Sequence, residues 1–289
     1  MGFQSIEQIV EKMEQTKKDM AAVILEEDCK ETMISEESSR EKMLDMWNTM
    51  YEASKAYDAS LRSKSGLVGA DGGKMQQYVK QQKSYSGDFV GNVIAEALKM
   101  GENNACMKRI VAAPTAGSCG VIPAVLIVSY EMFQMEISEM VNALYVAAGI
   151  GQVIGARASL AGASGGCQAE VGSASAMAAG ALVYLKKGSG RQIANAVAMA
   201  LKNMLGLVCD PVAGLVEIPC VKRNVAGATN AISAADMALA GIERRLPVDQ
   251  VIDAMREIGD DMNEKYKETA CGGCAATPWA KKAEKNAGK

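Results

Sequence analysis

The chain has 289 residues with 31 basic and 34 acidic side chains, a net charge of −3, and no histidine. Near charge balance argues against a general nucleic-acid or membrane-surface binder, which carries a basic excess. Without histidine the chain cannot by itself build a Ser-His-Asp or Cys-His hydrolase site, an HExxH zinc site or an imidazole acid–base pair.

The N-terminal stretch MGFQSIEQIVEKMEQ is acidic and amphipathic and lacks the basic-then-apolar order of a signal peptide. The myristoylation pattern fails because Ile6 stands where Ser or Thr is needed. Ser5 with Gln8 reads as a capping-box start, followed by a helix with Ile6, Ile9, Val10, Met13 and Met20 on its apolar face. A second helix opens near Ser35, and its stripe of Met43, Trp47, Met50 and Tyr57 reads as core packing. Asp88 reads as the N-cap of a helix carrying Val90, Val93, Ile94, Ala97 and Leu98 and stopped by Gly101.

From Ile110 to Ile242 only 14 residues are charged, so the middle of the chain reads as a buried body and the flanks as its solvated periphery. Ile110–Tyr130 has no charge over 21 residues, long enough for a membrane span. Pro114, Pro123, Thr115, Ser118 and several glycines interrupt it, so a buried core segment is expected instead. Leu144–Ala161 and Ala174–Leu185 are dense in Ala and Gly and poor in the β-branched and aromatic residues strands prefer. They read as closely packed helices, with Gly151 and Gly155 at the contacts. Pro247 suits a first helical turn ahead of Val248, Val251, Ile252, Met255 and Ile258. The fold expected is mainly α: one helical domain over residues 1–274, then a loose, Lys-rich tail over 275–289.

Five glycine-rich or polar loops break the helices: SKSGLVGADGGK (63–74), APTAGSCGVIP (113–123), AGASGGCQAEVG (161–172), CDPVAGLVEIPC (209–220) and ETACGGCAATP (268–278). The P-loop pattern ending at Gly73-Lys74 has Val68 where Gly is needed and Met75 where Ser or Thr is needed. A dinucleotide pattern from Gly149 and Gly151 puts its third glycine at 155, one residue late, with no strand before it. Both nucleotide readings fail.

Eight cysteines without an export signal point to a reducing cytoplasm, where thiols serve as metal ligands or small buried hydrophobes rather than disulfides. Cys167, Cys209 and Cys220 sit inside these loops, beside Gly166, Pro211 and Pro219. Turns of this kind leave backbone N–H groups free to hydrogen-bond thiolates, as in iron–sulfur sites. Burial as plain small side chains is the competing reading. Cys29 and Cys106 lie in ordinary helical or flanking sequence and read as structural.

From SKSGLVGADGGK through APTAGSCGVIPAVL, GASGGCQAEVGSASAMAAG and GLVCDPVAGLVEIPCVKRN to ETACGGCAATP, nearly the whole chain resembles the alpha subunit of two-chain, iron–sulfur-dependent L-serine dehydratases (L-serine ammonia-lyases). The resemblance implies a carbon–nitrogen lyase of amino-acid catabolism and gluconeogenesis, oxygen-sensitive, that converts L-serine to pyruvate and ammonium. It implies a [4Fe–4S] cluster on Cys167, Cys209 and Cys220, with one iron left open as a Lewis acid. It also implies a beta subunit as partner, carrying the Ser- and His-bearing motif that this chain lacks. Lys64 and Lys222 are weaker in-chain candidates for the base. Ser65, Thr115, Ser118, Arg223 and Asn224 are candidates for substrate binding, set against surface solvation or loop capping. Cys271 and Cys274 depart from the family, which carries apolar residues there; they cap the open iron, form a redox pair, or do neither.

Three other functions compete with this one. A pyridoxal-phosphate enzyme, with Lys64 as its Schiff base and Ala163–Gly166 on the phosphate, needs alternating strands and helices that the sequence does not offer. A related cluster-dependent L-cysteine desulfidase would share the three-cysteine framework. A non-catalytic helical scaffold subunit would hold its cysteines merely buried.

Overall fold

Three side chains on the N-terminal segment start three helices in succession. Ser5, Asp19 and Ser35 each accept a hydrogen bond from a backbone N–H three residues on, opening α1 (Ile6–Thr16), α2 (Met20–Thr32) and α3 (Glu36–Lys55). In the computed structural model, which describes residues 2–287, there follow α4 (Asp71–Lys80), α5 (Gly87–Ala105), α6 (Val121–Phe133), α7 (Ile137–Arg157), the single turn α8 (Gly162–Gly165), α9 (Ser173–Leu185), α10 (Gly190–Lys202), α11 (Cys220–Leu239), α12 (Val248–Asp261) and α13 (Pro278–Ala287). No strand forms among the described residues; an isolated parallel bridge joins Cys209 to Lys267.

Helix α9 is buried along its whole length, surrounded by α6, α7, α10 and α11. Its sequence SASAMAAGALVYL explains the position, since small side chains let neighbouring backbones approach from every side. A Cβ on Gly151 of α7 would lie 2.8 Å from Met177 Cε, and one on Gly180 of α9 would overlap Ile150. Gly155 meets Leu160 rather than another helix. Among the described residues, two helical stretches are long and apolar enough to cross a membrane, Ala116–Phe133 and Ile137–Arg157, and 67% of the most apolar 18-residue window of each is buried inside the protein. Over residues 118–129 the uncharged segment is therefore core, while residues 110–117 form its less buried approach.

Several expected boundaries move. Met20 belongs to α2, not α1, because Lys17 turns left-handed (φ 58°) to close α1 and Asp19 caps a new helix. Ser86 precedes α5, so Asp88 lies inside the first turn, where its charge still complements the helix dipole. Pro247 is the residue before α12 rather than its first turn. The Ser5 cap is not reciprocal: Gln8 Oε1 accepts from Gln4 N instead of Ser5 N. Within the stretch read as a loose tail, residues 278–287 form α13, whose Ala280 and Ala283 pack on Val212; residues 288 and 289 of that tail lie outside the described residues.

Candidate active site

Hydrogen bonds tie the five loops to one another. Ser63 donates to Glu217 Oε2 at 3.0 Å and Ser65 donates to the same oxygen, joining 63–74 to 209–220. Thr115 Oγ1 donates to Glu170 Oε1 at 2.7 Å, joining 113–123 to 161–172. Asn224, 1% exposed, accepts from Gly120 N at 2.8 Å and donates to Gly117 O at 2.9 Å, clamping the turn before α6. Cys274 N donates to Asp210 Oδ2 at 2.6 Å, bringing in 268–278.

Each of the three expected ligand cysteines is held by a different device. Cys167 follows Gly166, whose φ of +74° and lack of a side chain let it pass Leu207 O and Met262. The next residue braces the turn: Gln168 N donates to Leu207 O at 2.9 Å, and Gln168 Oε1 accepts from Gly206 N at 2.9 Å. Cys209 is pinned through its backbone, donating to Tyr266 O and accepting from Glu268 N, both at 2.8 Å. Cys220 is the first residue of the 20-residue helix α11, where the dipole favours a thiolate.

Burial and nearby charges act on all three thiols. Burial pushes Cys167 up to about 11, against the pull of the Arg223 charge. Burial and then the charge of Cys167 push Cys220 up to about 12. Cys209 is raised by burial, by Glu170 and by Cys167 in turn. Glu170 stands among them: Cys209 Sγ lies 3.8 Å from its Oε2, and burial raises its pKa despite the Thr115 hydrogen bond. A Cβ on Gly162 would lie 3.0 Å from Cys209 Sγ and 2.7 Å from Glu170 Oε2, so the absence of a side chain there keeps space open in front of both. Arg223 donates to Val208 O at 2.8 Å and approaches Asp210 Oδ1 at the same distance, without the alignment of a directed hydrogen bond.

Among the described residues, no three His, Cys, Asp or Glu side chains are set to hold a single metal ion. In a four-iron cube each thiolate binds a different iron, so its ligand sulfurs stand apart instead of converging on one point. Three soft donors, a cation beside them and a glycine-lined space are compatible with such a group.

The remaining expected residues divide. Thr115 and Arg223 touch Glu170 and Cys167. Ser118 is fully buried, shares a hydrogen bond with the Thr115 hydroxyl and accepts from Thr115 N. Ser65 and Asn224 are engaged within and between loops. Lys64 is exposed, and Lys222, also exposed, pairs with Asp71 at 3.3 Å. Cys271 and Cys274 are exposed, and Asp210 pushes the Cys274 thiol up. Cys29 and Cys106 are half-buried. Sequence reasoning missed Glu170 and Asp210; a carboxylate three residues after one candidate ligand and another immediately after the second was the available signal.

Comparison with known proteins gives a consistent match. The sequence model of the family described as "Serine dehydratase alpha chain" matches residues 5–275. The chain is 44% identical over 283 residues to the probable L-serine dehydratase alpha chain of Bacillus subtilis, covering 98% of this chain and 94% of that one. It is 42% identical over 261 residues to the L-serine dehydratase alpha chain of Peptoniphilus asaccharolyticus, covering 90% and 89%. Against the L-serine dehydratase of Mycobacterium tuberculosis it is 46% identical over 200 residues, 68% of this chain but 43% of that longer protein.

Proposed function

The chain belongs to the serine dehydratase alpha chain family, and on that premise we propose that it is the alpha subunit of a two-chain L-serine ammonia-lyase. The reaction takes a proton from Cα and hydroxide from Cβ of L-serine; the aminoacrylate formed tautomerises and is hydrolysed to pyruvate and ammonium. The observation that carries this reading is the Cys209 thiol set beside Glu170 in front of side-chain-free Gly162, inside the loops that also carry Cys167, Cys220 and the family's words.

The three cysteines would hold a [4Fe–4S] cluster, which when bound supplies a Lewis acid that assists departure of hydroxide. This chain's own residues supply the setting. Arg223 offsets the negative charge of the thiolates and fixes the turn at Val208. Thr115 holds Glu170 by Oε1 and leaves Oε2, on the cysteine side, as an atom able to hold a proton. Thr115 and Arg223 are the substrate-binding candidates placed beside these groups, while Ser65, Ser118 and Asn224 support them by keeping the loops in register. Lys64 and Lys222 are too exposed to exclude water from a proton transfer. Cys274, tethered to Asp210, is the better placed of the two late cysteines to approach the cluster.

A chain without histidine that spans 43% of a longer L-serine dehydratase supports a second subunit carrying the base, here a beta chain. Eight unpaired thiols are in keeping with a reducing, cytoplasmic setting. Anaerobic co-expression with a candidate beta chain tests the proposal. About four irons per heterodimer and pyruvate release from L-serine are expected together. A folded heterodimer without iron would overturn the cluster, and pyruvate release by this chain alone would overturn the need for a partner.

A further inference from the structure

Helix α5 presents two opposite faces to two different spaces. Ala97 and Gly101 face the cysteine loops: a Cβ on Gly120 would lie 2.7 Å from Ala97 O, and one on Gly101 3.2 Å from Val221 Cα. Asn92, Ala95, Glu96 and Lys99 lie around the other side of the helix. With Lys55 and Glu131 at its rim they line a separate chamber of about 400 Å³ between α3, α4, α5 and α6.

The chamber has an unmet electrostatic demand. Glu96 is 6% exposed, and its Oε1 has no hydrogen-bond partner among the described residues. Its Oε2 receives Lys99 Nζ at 3.4 Å, a long contact. The Lys99 side chain is 12% exposed and otherwise lies over the Tyr57 ring, 5.9 Å from the centroid, so ammonium protons stay uncommitted. At the rim Lys55 pairs with Glu131. The walls thus carry two cations and two anions, with one buried carboxylate oxygen calling for a donor.

This pattern separates ligand classes. A metal ion would meet two ammonium groups, and an inorganic anion two carboxylates. An apolar ligand would leave Glu96 Oε1 desolvated and unpaired. A molecule carrying an ammonium and a carboxylate a few ångströms apart satisfies both signs at no net charge. We propose that the chamber binds a small α-amino acid as a zwitterion, its ammonium donating to Glu96 Oε1 and its carboxylate accepting from Lys99 Nζ. The site is independent of the iron–sulfur reading. It nevertheless shares a support with the cysteine loops. Glu102, one turn after Lys99, accepts from Asp71 N at 2.7 Å and Gly72 N at 3.2 Å, and Asp71 pairs with Lys222, two residues past Cys220.

Isothermal titration of the full chain tests the proposal, using each proteinogenic amino acid in turn, with ethylamine and propionate as half-ligands. One or more amino acids should bind at one site per chain, weakened about tenfold or more by Glu96→Gln and by Lys99→Met and unchanged by Cys209→Ser. Circular dichroism checks that each variant is folded; Lys99→Met carries the test if Glu96→Gln is not. No binding by any amino acid would overturn the proposal. So would binding that both variants leave intact, binding abolished by Cys209→Ser, or a half-ligand that matches the amino acid's affinity.

Discussion

Thr115 Oγ1 donates to Glu170 Oε1 at 2.7 Å, and through that single bond the loop ahead of α6 is anchored to the loop that carries Cys167. Removing the donor would leave a largely buried carboxyl oxygen unsatisfied, at a cost of about 1–3 kcal/mol. Thr115→Val keeps the shape and removes the donor. Urea denaturation should show a loss within that range, and Thr115→Ser should recover most of it. An unchanged midpoint in Thr115→Val would mean the two loops are held by other contacts.

Asp210 is 2% exposed and sits between Arg223 and the Cys274 backbone. Removing one partner of a buried ion pair leaves the other charge uncompensated, at a cost of about 3–5 kcal/mol. Arg223→Met is therefore expected to destabilise the chain by roughly 3 kcal/mol. The double variant Arg223→Met/Asp210→Asn should recover part of that, because the stranded charge is gone. Equal stability of the single and double variants would count against the pairing.

Gly166 has φ +74°, and a Cβ there would lie 2.7 Å from Met262 Sδ and 2.9 Å from Leu207 O. Gly206 has φ +81° with nothing within 4 Å of the same position. Gly206→Ala therefore incurs only backbone strain, about 1–2 kcal/mol. Gly166→Ala adds a backbone clash and should lose roughly 1–3 kcal/mol more. Thermal unfolding of the two variants side by side distinguishes strain from crowding.

Asp71 begins α4, and its carboxyl is held below the usual range by Lys74 and Lys222, against partial burial. A group with a depressed folded-state pKa contributes stability above its unfolded pKa and loses it as pH falls through the folded value. Asp71→Asn should therefore be less stable than the parent at pH 7, by at most about 1 kcal/mol because the pair is solvent-screened. The gap should shrink with added salt and close under acid conditions. A gap that stays constant with pH would assign it to packing.

Burial holds Cys167 and Cys220 at about 11 and about 12, so in the metal-free chain both are thiols at neutral pH. Metal binding must displace those protons. Anaerobic iron and sulfide uptake is accordingly expected to rise with pH between about 7 and 9. Iron content should fall sharply in Cys209→Ser and stay near the parent level in Cys29→Ser. Equal iron in the two variants would remove Cys209 from the ligand set.

Much of this protein was legible along the chain because the signals are local. Ser5 and Ser35 cap helices through N–H groups three residues away, and Ala- and Gly-rich runs announce helices that pack by close approach. The three loop cysteines and the words around them carried the family. Other features depend on partners that only folding brings together. Asp249, buried on α12, accepts from Ile6 N at 2.8 Å and so helps cap a helix 243 positions upstream, a bond no local pattern announces. Glu170 beside Cys209, Asp210 beside Cys274, and the chamber on the far face of α5 arise in the same way. Side-chain type and short-range spacing determine which helices form, because helix propagation is a matter of neighbouring backbone groups. Which charges meet, and which are left seeking a partner, is settled by how the helices pack against one another.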